Sequence, residues 1–170
     1  MRGGVSAFAA AGLVALFVGA APAAQRAEAP RLEGKFDLRA KVIESTPGYF
    51  DHGEGEVVER TWKLLPRCPT GACEITRLRR QIAGGHSNIR LTRSGDVYKG
   101  TEVFVQESDG CVLDGRTKIK IKVSGDRQIE GELRASKFTG RWVVELESSK
   151  CAPGKQVAKL HGTLHSESGR

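Results

Sequence analysis

Four cysteines, Cys68, Cys73, Cys111 and Cys151, are the residues of this 170-residue chain whose type and spacing most directly dictate chemistry. An even count suits pairing in an oxidising compartment, and four cysteines allow three connectivities. In Cys68-Pro69-Thr70-Gly71-Ala72-Cys73 the two thiols stand at the mouth of a Pro/Gly turn, where a hairpin would bring them together. Cys68 is therefore expected to bond Cys73, which leaves Cys111 for Cys151. In the chain-entropy model the long loop would stabilise by roughly 4 kcal/mol and the short one by roughly 2. Zinc is a poor alternative, because a C-x-x-x-x-C pair with two distant cysteines and no clustered histidine does not match structural sites. Neither a metal nor another cofactor is expected.

The remaining reactive groups do not assemble into catalytic patterns. No G-x-S-x-G elbow, no H-E-x-x-H and no unpaired cysteine is present. His161 and His165 share a strand face but stand about 13 Å apart, too far to chelate one ion. His52 and His86 lie among glycines, and the carboxylates are scattered over outward faces. An extracellular enzyme is the least supported class. The first expectation is a noncatalytic binding protein holding a small hydrophobic ligand, with Trp62, Tyr98, Phe104 and Trp142 as lining residues. Ordinary core packing is the competing reading of both tryptophans. The alternative is an interaction module that recognises a protein or an anionic cell-envelope surface through a basic outer face of Arg77, Arg79, Arg80, Arg90, Lys118, Lys120 and Lys122. Against it, a charged strand face can be merely solvated or can discourage edge pairing. Aromatic residues are not interleaved with these cations, so nucleic acid is not an expected partner.

The elements that must position these groups are strands. From Gly34 onward, short runs of period-two alternation recur between turn signals, and helical periodicity is nowhere sustained. Phe36, Leu38, Ala40 and Val42 alternate with polar residues, and Lys118 to Val123 alternates between a cationic and a branched apolar face. Turns are expected at Ser94-Gly95-Asp96, Asp109-Gly110 and Ser124-Gly125-Asp126. About nine strands result, forming an all-β antiparallel meander, a closed or nearly closed barrel with a β-sandwich as the alternative. Closure is preferred because it removes unpaired edges. The expected interior holds Phe36, Leu38, Trp62, Ile89, Leu91, Ile119, Ile121, Leu133, Trp142, Val144 and Leu160. Three successive strands, Gly115 to Val123, Gln128 to Ala135 and Phe138 to Leu146, would put Cys111 and Cys151 at opposite ends of the barrel. Geometry thus opposes the second disulfide, while cysteine economy favours it.

The N-terminus has the build of a secretory signal: Arg2, an apolar Val5 to Ala20 and small residues from Ala21 to Ala24. The apolar run is shorter than the roughly 18 to 20 residues that span a bilayer. Residues 1–24 are expected to be removed by a cut after Ala23 or nearby, leaving a flexible 25–33 and a single β domain over 34–166. No cysteine follows the run to carry lipid, and no later segment is apolar enough to span a membrane. A secreted or extracytoplasmic protein is expected. The formal charge is +7 and Arg2 is the only charged residue before Gln25, so the mature chain carries 7 minus 1, or +6. That excess favours anionic surfaces.

Gly34-Lys35-Phe36, with Thr139-Gly140-Arg141-Trp142 later, resembles the G-x-W signature of lipocalin-type barrels, with Phe36 where that family has tryptophan. A longer resemblance rests on Trp62, Pro66-Arg67-Cys68-Pro69-Thr70-Gly71-Ala72-Cys73, and Leu91-Thr92-Arg93-Ser94-Gly95-Asp96-Val97-Tyr98-Lys99-Gly100. These segments resemble small secreted β domains of high-GC Gram-positive bacteria. The resemblance implies export, a cysteine-clipped hairpin and a β meander, with no activity and no functional residues attached. Peptide mapping without reduction should recover Cys111 linked to Cys151; free thiols at both, or a link from Cys111 to Cys68 or Cys73, would refute the economy argument.

Overall fold

A computed structural model describes residues 29–165 apart from residues 83 and 109, so the expected signal segment lies outside the described residues. Eight strands run in order: β1 Gly34–Ser45, β2 Val57–Pro66, β3 Ile75–Ile82, β4 Gly85–Ser94, β5 Val97–Ser108, β6 Cys111–Ile129, β7 Glu132–Glu147 and β8 Gly154–Leu164. Each pairs antiparallel with its neighbours, and β1 pairs with β8 as well as with β2, closing the barrel. The alternation of the sequence becomes inside and outside. On β1, Phe36, Leu38, Ala40 and Val42 are buried while Lys35, Asp37, Arg39 and Lys41 are exposed. Among the described residues no helix is long and apolar enough to cross a membrane.

Eight strands rather than nine form because Ser124-Gly125-Asp126 is a bulge and not a turn. The β6–β7 register slips between Val123 and Gly125 and again between Gly125 and Asp126, and both strands then continue to a hairpin where Ile129 faces Glu132. The turn residues are Glu130 at φ 51° and Gly131 at φ 80°. Positive φ at both central positions is what a two-residue type I′ turn requires, and it matches the twist of the flanking strands. The segment expected as a separate strand, Gln128 to Ala135, therefore straddles this turn.

The same finding resolves the conflict over the second disulfide. With β6 and β7 forming one long hairpin, Asp114 faces Glu147, and the residues beyond them lie at the same end of the barrel. Cys111 and Cys151 are bonded there with Cα atoms 6.3 Å apart, and Cys68 and Cys73 are bonded across their turn at 5.6 Å. Two such bonds belong to an oxidising compartment.

The ordered domain begins before Gly34. Arg31 and Leu32, placed by the sequence reading in a flexible leader, are buried, because this segment closes one end of the barrel. The Arg31 amide donates to the Leu133 carbonyl and its own carbonyl accepts from Ala135. Its guanidinium donates to the carbonyls of Cys68 at 2.9 Å and Gly71 at 3.2 Å. Glu132 accepts the Gly71 amide at 2.8 Å. That hydrogen bond foremost, with help from Arg31 and Arg134 and against some desolvation, holds its carboxyl below the usual 4.5. What Glu132 adds to this closure is present above the ordinary carboxylate range and is lost as pH falls through the lowered value.

The core fills this closed half. Phe36 and Phe138 meet at 5.2 Å between ring centroids, and Trp62 stacks on Phe138 at 6.2 Å. Gly162 lies directly opposite Phe138, and any Cβ there would collide with the ring. Of the expected interior, Leu133 and Trp142 are only partly buried. Leu133 lies beyond the bulge, where the β6–β7 hairpin projects past the core, and Trp142 faces the other end of the barrel. Because a left-handed conformation is costly for glutamate and easier for asparagine, Glu130→Asn should raise unfolding stability by about 0.5 kcal/mol. Gly131→Ala should lower it by about 1 kcal/mol or more. Urea melts monitored by far-ultraviolet circular dichroism check both.

Candidate functional site

At the end opposite Arg31 the backbone ladder is incomplete. β2–β3 pairing stops at Trp62 and Arg80 although β2 extends back to Val57, and β4–β5 pairing stops at Thr92 and Lys99 although β5 runs on to Ser108. The tip of the β3–β4 hairpin therefore leaves the wall on both sides. Side chains replace the missing ladder on the β5 side. Arg80 Nη2 donates to Glu102 Oε2 at 2.6 Å, Ser87 Oγ donates to Glu102 Oε1, and Arg80 Nε lies 3.4 Å from Ser87 Oγ. Arg80 and Glu102 side chains are 13 % and 21 % exposed, so the pair sits in a partly desolvated setting where its hydrogen bonds count for more than on the open surface. The guanidinium also lies 5.2 Å from the centroid of the Trp142 ring, a cation–π distance.

On the β2 side the gap stays open. A depression of about 930 Å³ in all spans this gap, from Leu38, Trp62, Ile82 and Trp142 with Arg60 and Arg80 out to a groove on the outer wall bordered by Asp37, Arg39, Glu59 and His161. The Trp142 Nε1–H is buried with no partner among the described residues. Of the three guanidinium groups here, Arg39 is paired with Glu59 and Arg80 with Glu102, and Arg60 forms no ion pair among the described residues.

Two of the four aromatic residues expected to line a ligand site, Trp62 and Trp142, meet at this cavity. The other two do not. Tyr98 is buried in the main core, where burial pushes its phenol upward against the opposing pull of Arg93 and of the Leu32 backbone. Phe104 lies over Gly115 and packs in a second cluster with Leu113, Val144 and Leu146. Ser87 and Glu102 did not emerge as site residues from the sequence, and Arg80, expected on the basic outer face, instead turns inward to Glu102. The available signal was alternation itself: Arg80 shares a strand face with Leu78, and Glu102 shares one with Tyr98 and Phe104. Opposite charges on inward faces of different strands mark a partnership that only their meeting can establish.

The expected basic residues are spread over separate strands. Arg77 and Arg79 lie on the outside of β3, with Arg90 of β4 directly opposite Arg77. Lys118, Lys120 and Lys122 lie on β6, where Lys118 pairs with Glu145 at 2.7 Å and Lys122 with Asp96 at 3.4 Å. His165, on the outside of β8's end, bonds Asp37 at 2.8 Å. Comparison with protein-family models, curated proteins and solved structures finds no match to this chain.

If Glu102 is the clamp across the β4–β5 gap, Glu102→Gln leaves the Arg80 charge partly buried and uncompensated. It should destabilise by about 1 to 2 kcal/mol, discounted for residual solvent access. Arg80→Met combined with Glu102→Leu should recover most of that loss. A double-mutant cycle in urea measures the coupling, and an additive result would show that the clamp carries no energy.

Proposed function

We propose that this protein is an exported, noncatalytic binding protein that takes a small, largely hydrophobic ligand with an anionic head at the open end of its barrel. The observation that carries this reading is the breach between β2 and β3, which admits a ligand-sized cavity to Trp62 and Trp142. Ligand sites are concave and mostly apolar with a few placed polar groups, and barrel mouths are frequent hosts. The filled core beneath, from Phe36 to Phe138, restricts a ligand to the mouth rather than the full depth of the barrel. Arg60, which forms no ion pair among the described residues, supports an acidic head group over a purely hydrocarbon ligand; Arg39 and Arg80 are already paired with Glu59 and Glu102. The signal-like N-terminus and the paired cysteines support export.

The chain has two tryptophans: Trp142 is partly exposed at this cavity and Trp62 borders it from within the core, so indole emission, that of Trp142 first, reports from the proposed site. Titration with a long-chain fatty acid, or with anilinonaphthalenesulfonate as a surrogate amphipathic anion, should shift or quench that emission saturably. Trp142→Phe and Arg80→Met should each weaken binding by about tenfold while the circular dichroism spectrum is retained. Unchanged emission at saturating concentrations of both probes would overturn the proposal.

A further inference from the structure

Five cations stand in one row around the outer wall. Lys99 of β5 faces Lys120 of β6, Lys120 faces Arg141 of β7, Arg141 faces Lys159 of β8, and Lys159 faces Lys41 of β1. All five are exposed, and their strand neighbours, such as Ile119, Ile121, Ala158 and Leu160, are buried. Like charges placed directly opposite one another destabilise a sheet. Among the described residues none of the five forms an ion pair, whereas cations two positions along do: Lys118 with Glu145, Lys122 with Asp96 and Arg39 with Glu59. Compensation on the flanking rows and its absence on this one sets the row apart from a generally solvated face. Protection of a sheet edge does not explain it either, because β6, β7 and β8 are paired on both sides. Shallow depressions of about 600 and 450 Å³ flank the middle of the row; they share Lys120 and Arg141, and reach Lys99 on one side and Lys159 on the other.

We propose that this row binds a linear acidic polysaccharide carrying one carboxylate per sugar ring. Neighbouring strands are about 4.8 Å apart, close to the repeat of a single sugar ring, so successive anions can meet successive cations. Long lysine stems absorb the extra spread at the outer radius of the barrel. Five of the eight strands take part, so the row bends around about half of the wall. A flat anionic bilayer would touch only its crest, while a flexible chain can follow it throughout. The row holds no aromatic side chain on which bases could stack, which weighs against single-stranded nucleic acid.

The test uses the disulfide-intact protein and sodium polygalacturonate, titrated calorimetrically at low and moderate salt, with dextran as the uncharged polymer. One variant, Lys120→Gln with Arg141→Gln and Lys159→Gln, removes the middle of the row. A second, Lys63→Gln with Arg77→Gln and Arg79→Gln, removes the same charge from exposed positions elsewhere on the wall. The first should lose at least about tenfold in affinity and reduce the slope of log K against log salt by about 2, and the second should lose less than about threefold. The first variant should also melt at the parent temperature or a few degrees above it, since opposed like charges are relieved. No binding to polygalacturonate would overturn the proposal, as would equal losses in the two variants. Tighter binding per unit charge to phosphatidylglycerol vesicles or to a single-stranded oligonucleotide would do the same.

Discussion

Everything in this molecule depends on one closure: β1 is hydrogen-bonded to β2 along one edge and to β8 along the other, with Phe36 facing Trp62 on one side and Leu164 on the other. Once the sheet closes, each strand has one face inside and one outside, and no continuous edge remains at β1 to pair with another chain. An eight-stranded barrel is only wide enough for its own side chains or one small ligand. Interior volume must therefore be shared. Phe36, Trp62 and Phe138 take it in the closed half, and Gly162 yields the space that the Phe138 ring occupies.

The two proposed binding surfaces lie where closure is relaxed or where its outer face is undisturbed. Around the β3–β4 hairpin the ladder fails on both sides, and the two failures are handled differently. Glu102 spans one with charge-assisted hydrogen bonds to Arg80 and Ser87, and the other stays open beside Trp62 and Trp142. Hydrogen bonds to ionised groups in a partly desolvated setting can stand in for backbone pairing because they are roughly twice as strong as neutral ones. They also hold the Arg80 guanidinium against the Trp142 ring, so the same contact that steadies the hairpin shapes the mouth. The outer cation row depends instead on unbroken pairing from β5 to β1. Its residues are far apart in sequence and become neighbours only through register.

The two ends of the barrel are secured by different means. At one end Arg31 threads the Cys68–Cys73 loop and the β6–β7 hairpin together, with Glu132 answering from the hairpin. At the other the Cys111–Cys151 bond ties the β5–β6 and β7–β8 connections, and the small cluster of Leu113, Val144 and Leu146 packs beneath it. The breach in the wall lies away from this bridge, between β2 and β3. The disulfide and its cluster stand on the β6–β7 side and the ladder gaps on the β3–β4 side.

Period-two alternation in segments such as Lys118 to Val123 was sufficient, by itself, to determine that the chain is an all-β meander and which face of most strands is inward; that it closes as a barrel and not a sandwich was decided by β1 pairing with β8. The local Pro/Gly turn was sufficient for the Cys68–Cys73 pair. These are properties of residues a few positions apart, so a linear reading contains them. Whether Ser124-Gly125-Asp126 turns or bulges was decided only by the partner strand, because a bulge is defined by two residues facing one across a ladder. That one decision moved Cys151 to the end of the barrel where Cys111 waits. The meeting of Arg80 with Glu102, and of five cations in one row, likewise depends on register between strands. Alternation specifies a face but not a neighbour, and register emerges only when every strand has found its partner in the closed sheet.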